Sequence, residues 1–284
     1  MPSSGAGSAA QRGGGIDARA AVASDRIGEG VSVGPFAVIG PHVELERDCR
    51  VAAHAVIEGR TRVGARTTIG PHAVVGAPPQ VRGLRAEDAG ELVIGADNQL
   101  RELTTVHAGS AGSRTELGDA NMLMAYAHVA HDCIIGNGVE LANCVQLAGH
   151  VRIGDHAVLG GLAAVHQFTR VGEHAFVAGA AMAAQDVPPF CQVAGDRARL
   201  YGLNVVGLRR HGFSADERRA LSQALRLLYG ADLLSRGIEA AAADASISQY
   251  ASVQRLLDFA RSSKRGLCRA VIAKAARRGA GSAT

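Results

Sequence analysis

An aliphatic side chain recurs every six residues along most of this chain, and few folds can use that spacing. The ladder starts at Ile27 and continues through Val33, Ile39, Leu45, Val51, Ile57, Val63, Ile69 and Val75. It resumes at Ile94, Leu100 and Val106, then runs unbroken from Leu117 through Val129, Leu147 and Val165 to Ala183. An amphipathic helix repeats its apolar face at about 3.6 residues and a half-buried strand at about 2, so neither yields a period of six. A three-sided coil does. Each hexad supplies one short strand with its aliphatic residue pointing inward, small residues turn the corner, and three hexads close a coil of 18 residues. Stacked coils pair as parallel strands about 4.8 Å apart, and no coil buries its own face without neighbours. The spacing predicts an all-β solenoid, a parallel β-helix, over residues 15–190. Glycine often follows the aliphatic residue, and the 36 glycines of the chain read as repeated tight corners.

Two segments leave the ladder, Ala77 to Glu91 and about Ala108 to Glu116. Loops escaping a repeat tend to carry binding residues. After Val187-Pro188-Pro189 the six-residue period disappears and helical patterning replaces it. Ser214 and Glu217 have capping-box spacing ahead of Leu221, Leu225, Leu228 and Tyr229, and a second helix is expected over Val253 to Phe259. Residues 191–277 are therefore expected to form a small C-terminal α-helical domain. Residues 1–14 and 278–284 are expected to be disordered tails.

Charge and composition exclude several classes of function. Charged residues make up 20% of the chain and the formal net charge is +4, with basic residues concentrated near the end in SSKRGLCRAVIAKAARR. A nucleic-acid surface would interleave such residues with stacking aromatics, yet aromatics are 4% and tryptophan is absent. The sequence contains no apolar run near the ~20 residues of a membrane span, and its first residues lack the apolar centre of a signal peptide. No stable membrane insertion is expected, and a cytoplasmic location is. The five cysteines (Cys49, Cys133, Cys144, Cys191 and Cys268) are scattered and never form a CxxC pair, so buried free thiols are expected.

Within an unbroken ladder, residues 18 apart lie one above another. His131, Gly149 and Gln167 then form one column, Asp132, His150 and Phe168 the next, and Gln146 lies above His128. His42, His54, His72, His156 and His174 read as solvated positions on the wall. In the cluster, an imidazole of ordinary pKa ~6.5 accepts a proton from a hydroxyl at neutral pH, and Asp132 stands where it can orient one. A glycine directly above leaves its backbone N–H open to a developing oxyanion. Base and oxyanion donor suffice for direct acyl transfer. Neither a serine nor a cysteine nucleophile is required, and Cys133 is expected to point elsewhere.

Four longer strings are more specific than the hexads: NMLMAYAHVAHDC (121–133), LANCVQLAGHVRIGDHAVLGGLAAVHQF (141–168), AQDVPPF (184–190) and GLNVVGLRRHGF (202–213). Over about residues 16–268 the chain resembles the UDP-N-acetylglucosamine O-acyltransferases that begin lipid A biosynthesis, within the wider class of hexapeptide-repeat transferases. The resemblance implies a left-handed coil, against the usual crossover preference. It also implies transfer of a (3-hydroxy)fatty acyl group from acyl carrier protein to the 3-position of UDP-N-acetylglucosamine or a close nucleotide amino sugar, with no cofactor and no metal. Matched residue by residue, it makes His131 the general base, Asp132 its partner and the Gly149 N–H the oxyanion donor. Gln80, His107, His128, His150, His166 and Gln167 would contact substrate, and Gly179 would limit the acyl tail. Asn204 and Arg210 would touch the nucleotide, the arginine through a phosphate.

The departures from the family pattern fall on the nucleotide-sugar side: Val81 for a usual aspartate, Ala108 for arginine, Asp196 for asparagine, Val206 for glutamate and His211 for arginine. They leave the acceptor open. A half-site on one wall and flat sides predict a homotrimer of C3 symmetry. Three other functions compete. A γ-type carbonic anhydrase would need an H-x4-H pair, and none of the 11 histidines has a partner five residues on. An acetyl-CoA-dependent acetyltransferase of the same repeat class would differ in donor. A non-catalytic nucleotide-sugar-binding paralogue would not need His131, Asp132 and Gly149 intact.

Overall fold

The computed structural model of this chain describes residues 14–271. The expected tails lie outside that range apart from Gly14. From Gly15–Ile16 to Met182–Ala183, strands of two to four residues follow one another and join three sheets in rotation, of eleven, nine and seven strands. The pairing is parallel and follows the ladder: in the nine-stranded sheet Val129 pairs with Leu147, and Leu147 with Val165. These three side chains are buried, as are Ile39, Leu45, Ile57, Leu123, Leu141 and Leu159, so the inward residues form one continuous core. Each short strand has a single apolar side, and stacking neighbours bury it.

The glycines work differently from the tight corners expected of them. Apart from Gly76, at φ 88°, those that follow the aliphatic residue do not have positive φ; they lie where the next coil passes too closely for a side chain. A Cβ on Gly28 would lie 2.6 Å from the Arg47 nitrogen, and one on Gly154 would lie 2.5 Å from the Glu173 nitrogen. Positive φ falls instead two residues further on, mostly at residues with side chains: His54 at 60°, Tyr126 at 62°, His150 at 61° and Phe168 at 64°. Each such residue costs roughly 1–2 kcal/mol in that conformation. Stacking offsets part of this, as in the column of Phe36, His54 and His72, whose ring centroids are 5.1 and 4.8 Å apart.

The two interrupting loops fold against each other. The first runs from the strand Val74–Ala77 through a 3-10 turn, Ala86–Asp88, to the strand Glu91–Ile94. The second joins Thr105–His107 to Arg114–Leu117. The Gly90 N–H donates to the Gly109 carbonyl at 2.7 Å, and the Gly109 N–H to the Glu91 carbonyl at 3.0 Å.

The C-terminal segment opens with strands where helix was expected. Cys191–Ala194 pairs in parallel with Phe176–Val177, adding a rung outside the hexad spacing, and Arg199–Leu203 runs antiparallel to it. Helices follow: α1 (Val205–Arg210), α2 (Ala215–Gly230), α3 (Leu234–Ala243), α4 (Ala245–Ser248) and α5 (Ala251–Arg261). Ser214 Oγ accepts the Glu217 N–H at 3.1 Å and starts α2 as its spacing predicted, and α5 contains the second expected helix. Leu221, Leu225 and Leu228 of α2 and Val253, Leu256 and Leu257 of α5 are buried. Asp186, from the AQDVPPF string, ties this segment to the coil. Its carboxylate accepts the Arg170 N–H at 2.9 Å, Arg170 Nε at 3.2 Å and the Ser263 hydroxyl at 2.8 Å, while Arg170 also lies over the Phe259 ring.

Candidate active site

The histidine cluster occupies the corner where the chain leaves the nine-stranded sheet at His128–Val129 for the seven-stranded sheet at Ile134–Ile135. The predicted columns form. The His150 N–H donates to the His131 carbonyl at 3.0 Å, and the Phe168 N–H to the Gly149 carbonyl at 3.2 Å. The His150 and Phe168 rings stack with centroids 4.6 Å apart, and His128 pairs with Gln146 as expected.

Asp132 is the electrostatic centre of this corner. Its Oδ2 accepts His131 Nδ1–H at 2.7 Å and the Ser110 hydroxyl at 2.6 Å, and its Oδ1 accepts the Ser110 N–H at 2.9 Å. Thr115 Oγ1 fixes the Asp132 backbone by accepting its N–H at 2.8 Å. Burial acts to raise the Asp132 pKa, but the hydrogen bonds from Ser110, His131 and Ser113 outweigh it and hold the carboxyl down to about 2. Asp132 is therefore a carboxylate at neutral pH. A carboxylate at Nδ1 keeps that nitrogen protonated and leaves the lone pair on Nε2. His150 Nε2 lies 3.6 Å from the same Oδ2, and its ring is edge-on to that of His131.

Gly149 makes room for the His131 ring. A Cβ on it would lie 2.7 Å from both Nε2 and Cε1 of His131, well inside van der Waals contact. Among the described residues the Gly149 N–H donates to no backbone acceptor, so it stays available beside the imidazole. Two more histidines line the adjoining strand face. His128 Nδ1 bonds the Thr105 hydroxyl at 2.7 Å, and His107 stands edge-on to His128. Burial, reinforced by the neighbouring His128 and His131, pushes His107 down to about 4, and its Nδ1 has no partner. Burial and His131 lower His128 as well. Cys133 points inward: its Sγ donates to the Ala148 carbonyl at 3.2 Å, and burial pushes the thiol up to about 12.

His131, Asp132 and His150 are the one group among the described residues whose donor atoms gather as a metal site would need. The separation between His131 and Asp132 is that of a hydrogen bond. Two ligands at about 2.1 Å from one tetrahedral ion stand about 3.4 Å apart, whereas Nδ1 and Oδ2 are at the hydrogen-bond separation of 2.7 Å.

The other site residues expected from the sequence divide into two sets. His166 and Gln167 join the cluster, exposed on the same corner one coil beyond Gly149 and His150. Gln80 is exposed in the first loop. Gly179 lies on a different corner, between the eleven-stranded and nine-stranded sheets. Asn204 and the exposed Arg210 lie on the third corner, between the seven-stranded and eleven-stranded sheets. There Asn204 caps α1 by accepting the Gly207 N–H at 3.0 Å and donates to the His174 carbonyl at 3.0 Å. His174 corrects its reading as a solvated wall residue: it is buried against His211, Phe190 and Phe213, and burial pushes it down to about 4. Ser110 was not anticipated. Its only sequence signal is its place in a loop that breaks the ladder.

Residues 186–268 match the family model described as UDP N-acetylglucosamine O-acyltransferase, domain 2, and residues 26–59 and 114–149 match that of the bacterial transferase hexapeptide (six repeats). The acyl-[acyl-carrier-protein]–UDP-N-acetylglucosamine O-acyltransferase of Halorhodospira halophila is 47% identical over 86% of this chain and 95% of its own length. The enzyme of the same name from Thermodesulfovibrio yellowstonii is 43% identical over 84% of this chain and 93% of its own. A crystal structure of a UDP-N-acetylglucosamine acyltransferase from Bacteroides fragilis superposes with a TM-score of 0.85 at 33% identity, over 89% of this chain and 99% of that one. With this likeness extending over nearly the whole of its relatives and through the corner that holds His131, the chain belongs to the UDP-N-acetylglucosamine O-acyltransferase family.

Proposed function

We propose that this protein moves a fatty acyl group from acyl carrier protein to the 3-hydroxyl of UDP-N-acetylglucosamine or a close nucleotide amino sugar, the first step of lipid A synthesis. The observation that carries the chemistry is the His131 ring, held by a buried carboxylate at Nδ1 and seated against a glycine at its Nε2 edge. Nε2 takes the proton of the acceptor hydroxyl as its oxygen attacks the thioester carbonyl of the donor. Asp132 stabilises the imidazolium that forms. The Gly149 N–H donates to the oxyanion of the tetrahedral intermediate. Collapse expels the carrier thiolate, which recovers the proton from His131. No acyl-enzyme is needed, in keeping with the inward, un-ionised Cys133. Incubating the protein with 3-hydroxyacyl carrier protein and UDP-N-acetylglucosamine should yield an O-acylated nucleotide sugar by mass spectrometry. Acylation of neither this acceptor nor its 3-amino analogue would reject the proposal.

The division of site residues among three corners supports a homotrimer in which each site is completed across a subunit boundary. Asn204 and Arg210 of one chain would then reach a neighbour's His131 corner. Light scattering at micromolar concentration should give three times the chain mass, and a monomer would contradict the arrangement. A left-handed coil over residues 15–190 followed by a helical unit from α1 to α5 belongs to the same proposal, as does a cytoplasmic reaction. No described helix is long and apolar enough to cross a membrane.

Gly179 is proposed to face the acyl tail across the nine-stranded wall. A Cβ there would lie 3.2 Å from the Gly161 carbonyl oxygen, a tight but tolerable fit. The groove stays long without a side chain, which favours a donor of roughly fourteen carbons, since each buried methylene contributes about 0.8 kcal/mol. Gly179→Met should shift preference to shorter donors in competition assays, and unchanged preference would remove Gly179 from the acyl site.

A further inference from the structure

We infer that Ser110 is a positioning residue for the reaction, acting on His131 through Asp132, and that the second loop exists to deliver it. The inference rests on His131 being the base. The case begins with the carboxylate. Of the three short side-chain and backbone donors that Asp132 accepts, Ser110 supplies two, its hydroxyl at 2.6 Å and its N–H at 2.9 Å. They approach different oxygens and so set the plane of the carboxylate. The third donor is His131 itself, on the oxygen that also takes the Ser110 hydroxyl. The direction in which Asp132 holds the imidazole therefore depends on Ser110. Ser110 Oγ is also 3.5 Å from His131 Nδ1, close enough to limit rotation of the ring.

The path of the loop is built to hold this contact. The Ser113 N–H closes a turn on the Ser110 carbonyl at 2.9 Å. Gly90, arriving from the other interrupting loop, packs where a Cβ would collide with the carbonyl oxygens of both Ser110 and Ser113. Gly109, next to Ser110, has no room for a Cβ against the Arg114 backbone. A glycine from each of the two insertions thus packs against the turn that carries Ser110. Burial by itself would favour a protonated Asp132. The Ser110 donors counter that tendency and keep the partner of the base ionised.

The test compares Ser110→Thr with Ser110→Val, which fill the same volume and differ only in the hydroxyl, each assayed for kcat and KM after thermal melting confirms a folded protein. Ser110→Val should lower kcat by about 10–100-fold with KM for the nucleotide sugar within about twofold, and Ser110→Thr should recover most of the loss. Because the effect passes through Asp132, adding Ser110→Val to Asp132→Asn should cost no more than about twofold further. Equal kcat for the Thr and Val variants, or a full additional loss in the Asp132→Asn background, would overturn the inference. His131→Ala assayed alongside separates the two ideas. If it is inactive while the Thr and Val variants match, only the role of Ser110 falls; if it turns over normally, both fall.

Discussion

His131→Ala is expected to lower turnover by about 10²–10⁴-fold, the usual cost of removing a general base, while KM for the nucleotide sugar stays within about twofold. The split follows from the geometry. In the proposed reaction Nε2 acts on the proton that moves in the transition state, so its loss falls on kcat, whereas the proposed contacts of His128, His107 and the residues on the other corners are left to bind the ground state. Stability should change by no more than about 1 kcal/mol. The side chain lines the wall outside the core, and Ser110 still donates twice to the Asp132 carboxylate, which therefore does not become a buried, unsatisfied charge. His128→Ala should differ in kind. It removes a ring bonded to Thr105, and it should raise KM more than it lowers kcat. Steady-state kinetics at saturating donor would separate the two variants, and a His131→Ala protein that is folded and retains wild-type kcat would eliminate the base.

Gly149→Ala should be nearly as damaging although it removes nothing. The added methyl would sit 2.7 Å from Nε2 and Cε1 of His131, so the ring must rotate away from its line to Asp132 or the corner must shift. Misplacing a reacting group by about 1 Å can cost 10²-fold, and that is the expected fall in kcat. The φ of Gly149 is not positive, so alanine itself introduces no backbone strain. The result therefore reads the position of the base and not the integrity of the fold. Thermal unfolding should move by only a few degrees. Activity within about threefold of wild type would mean that His131 does not work from the position it occupies here.

The coil was legible from the sequence because its period and its contacts are the same quantity. Once the ladder is unbroken, a spacing of 18 residues becomes hydrogen bonds such as that between the His150 N–H and the His131 carbonyl. That is why the spacing alone brings His131, Asp132 and Gly149 together. Ser110 was not legible, because it sits in an insertion where no register relates it to Asp132. α1 and α4 were hidden for another reason: at six and four residues they are too short to show a period. The glycines misled through an ambiguity of mechanism: a residue without a Cβ serves either positive φ or close approach, and spacing alone does not tell them apart. Asn204 carries both of its side-chain hydrogen bonds inside the fold, capping α1 and holding His174. A contact with nucleotide would have to coexist with that structural duty.

A crystal structure of the protein with UDP-N-acetylglucosamine tests the central proposal most directly, because it locates the reacting hydroxyl relative to the base. The sugar 3-hydroxyl should lie about 2.6–3.2 Å from His131 Nε2, with Nδ1 still bonded to Asp132 and the Gly149 N–H facing the space where the thioester carbonyl must enter. A sugar bound with its 3-hydroxyl on another corner, or with a different histidine against it, would contradict direct transfer by His131.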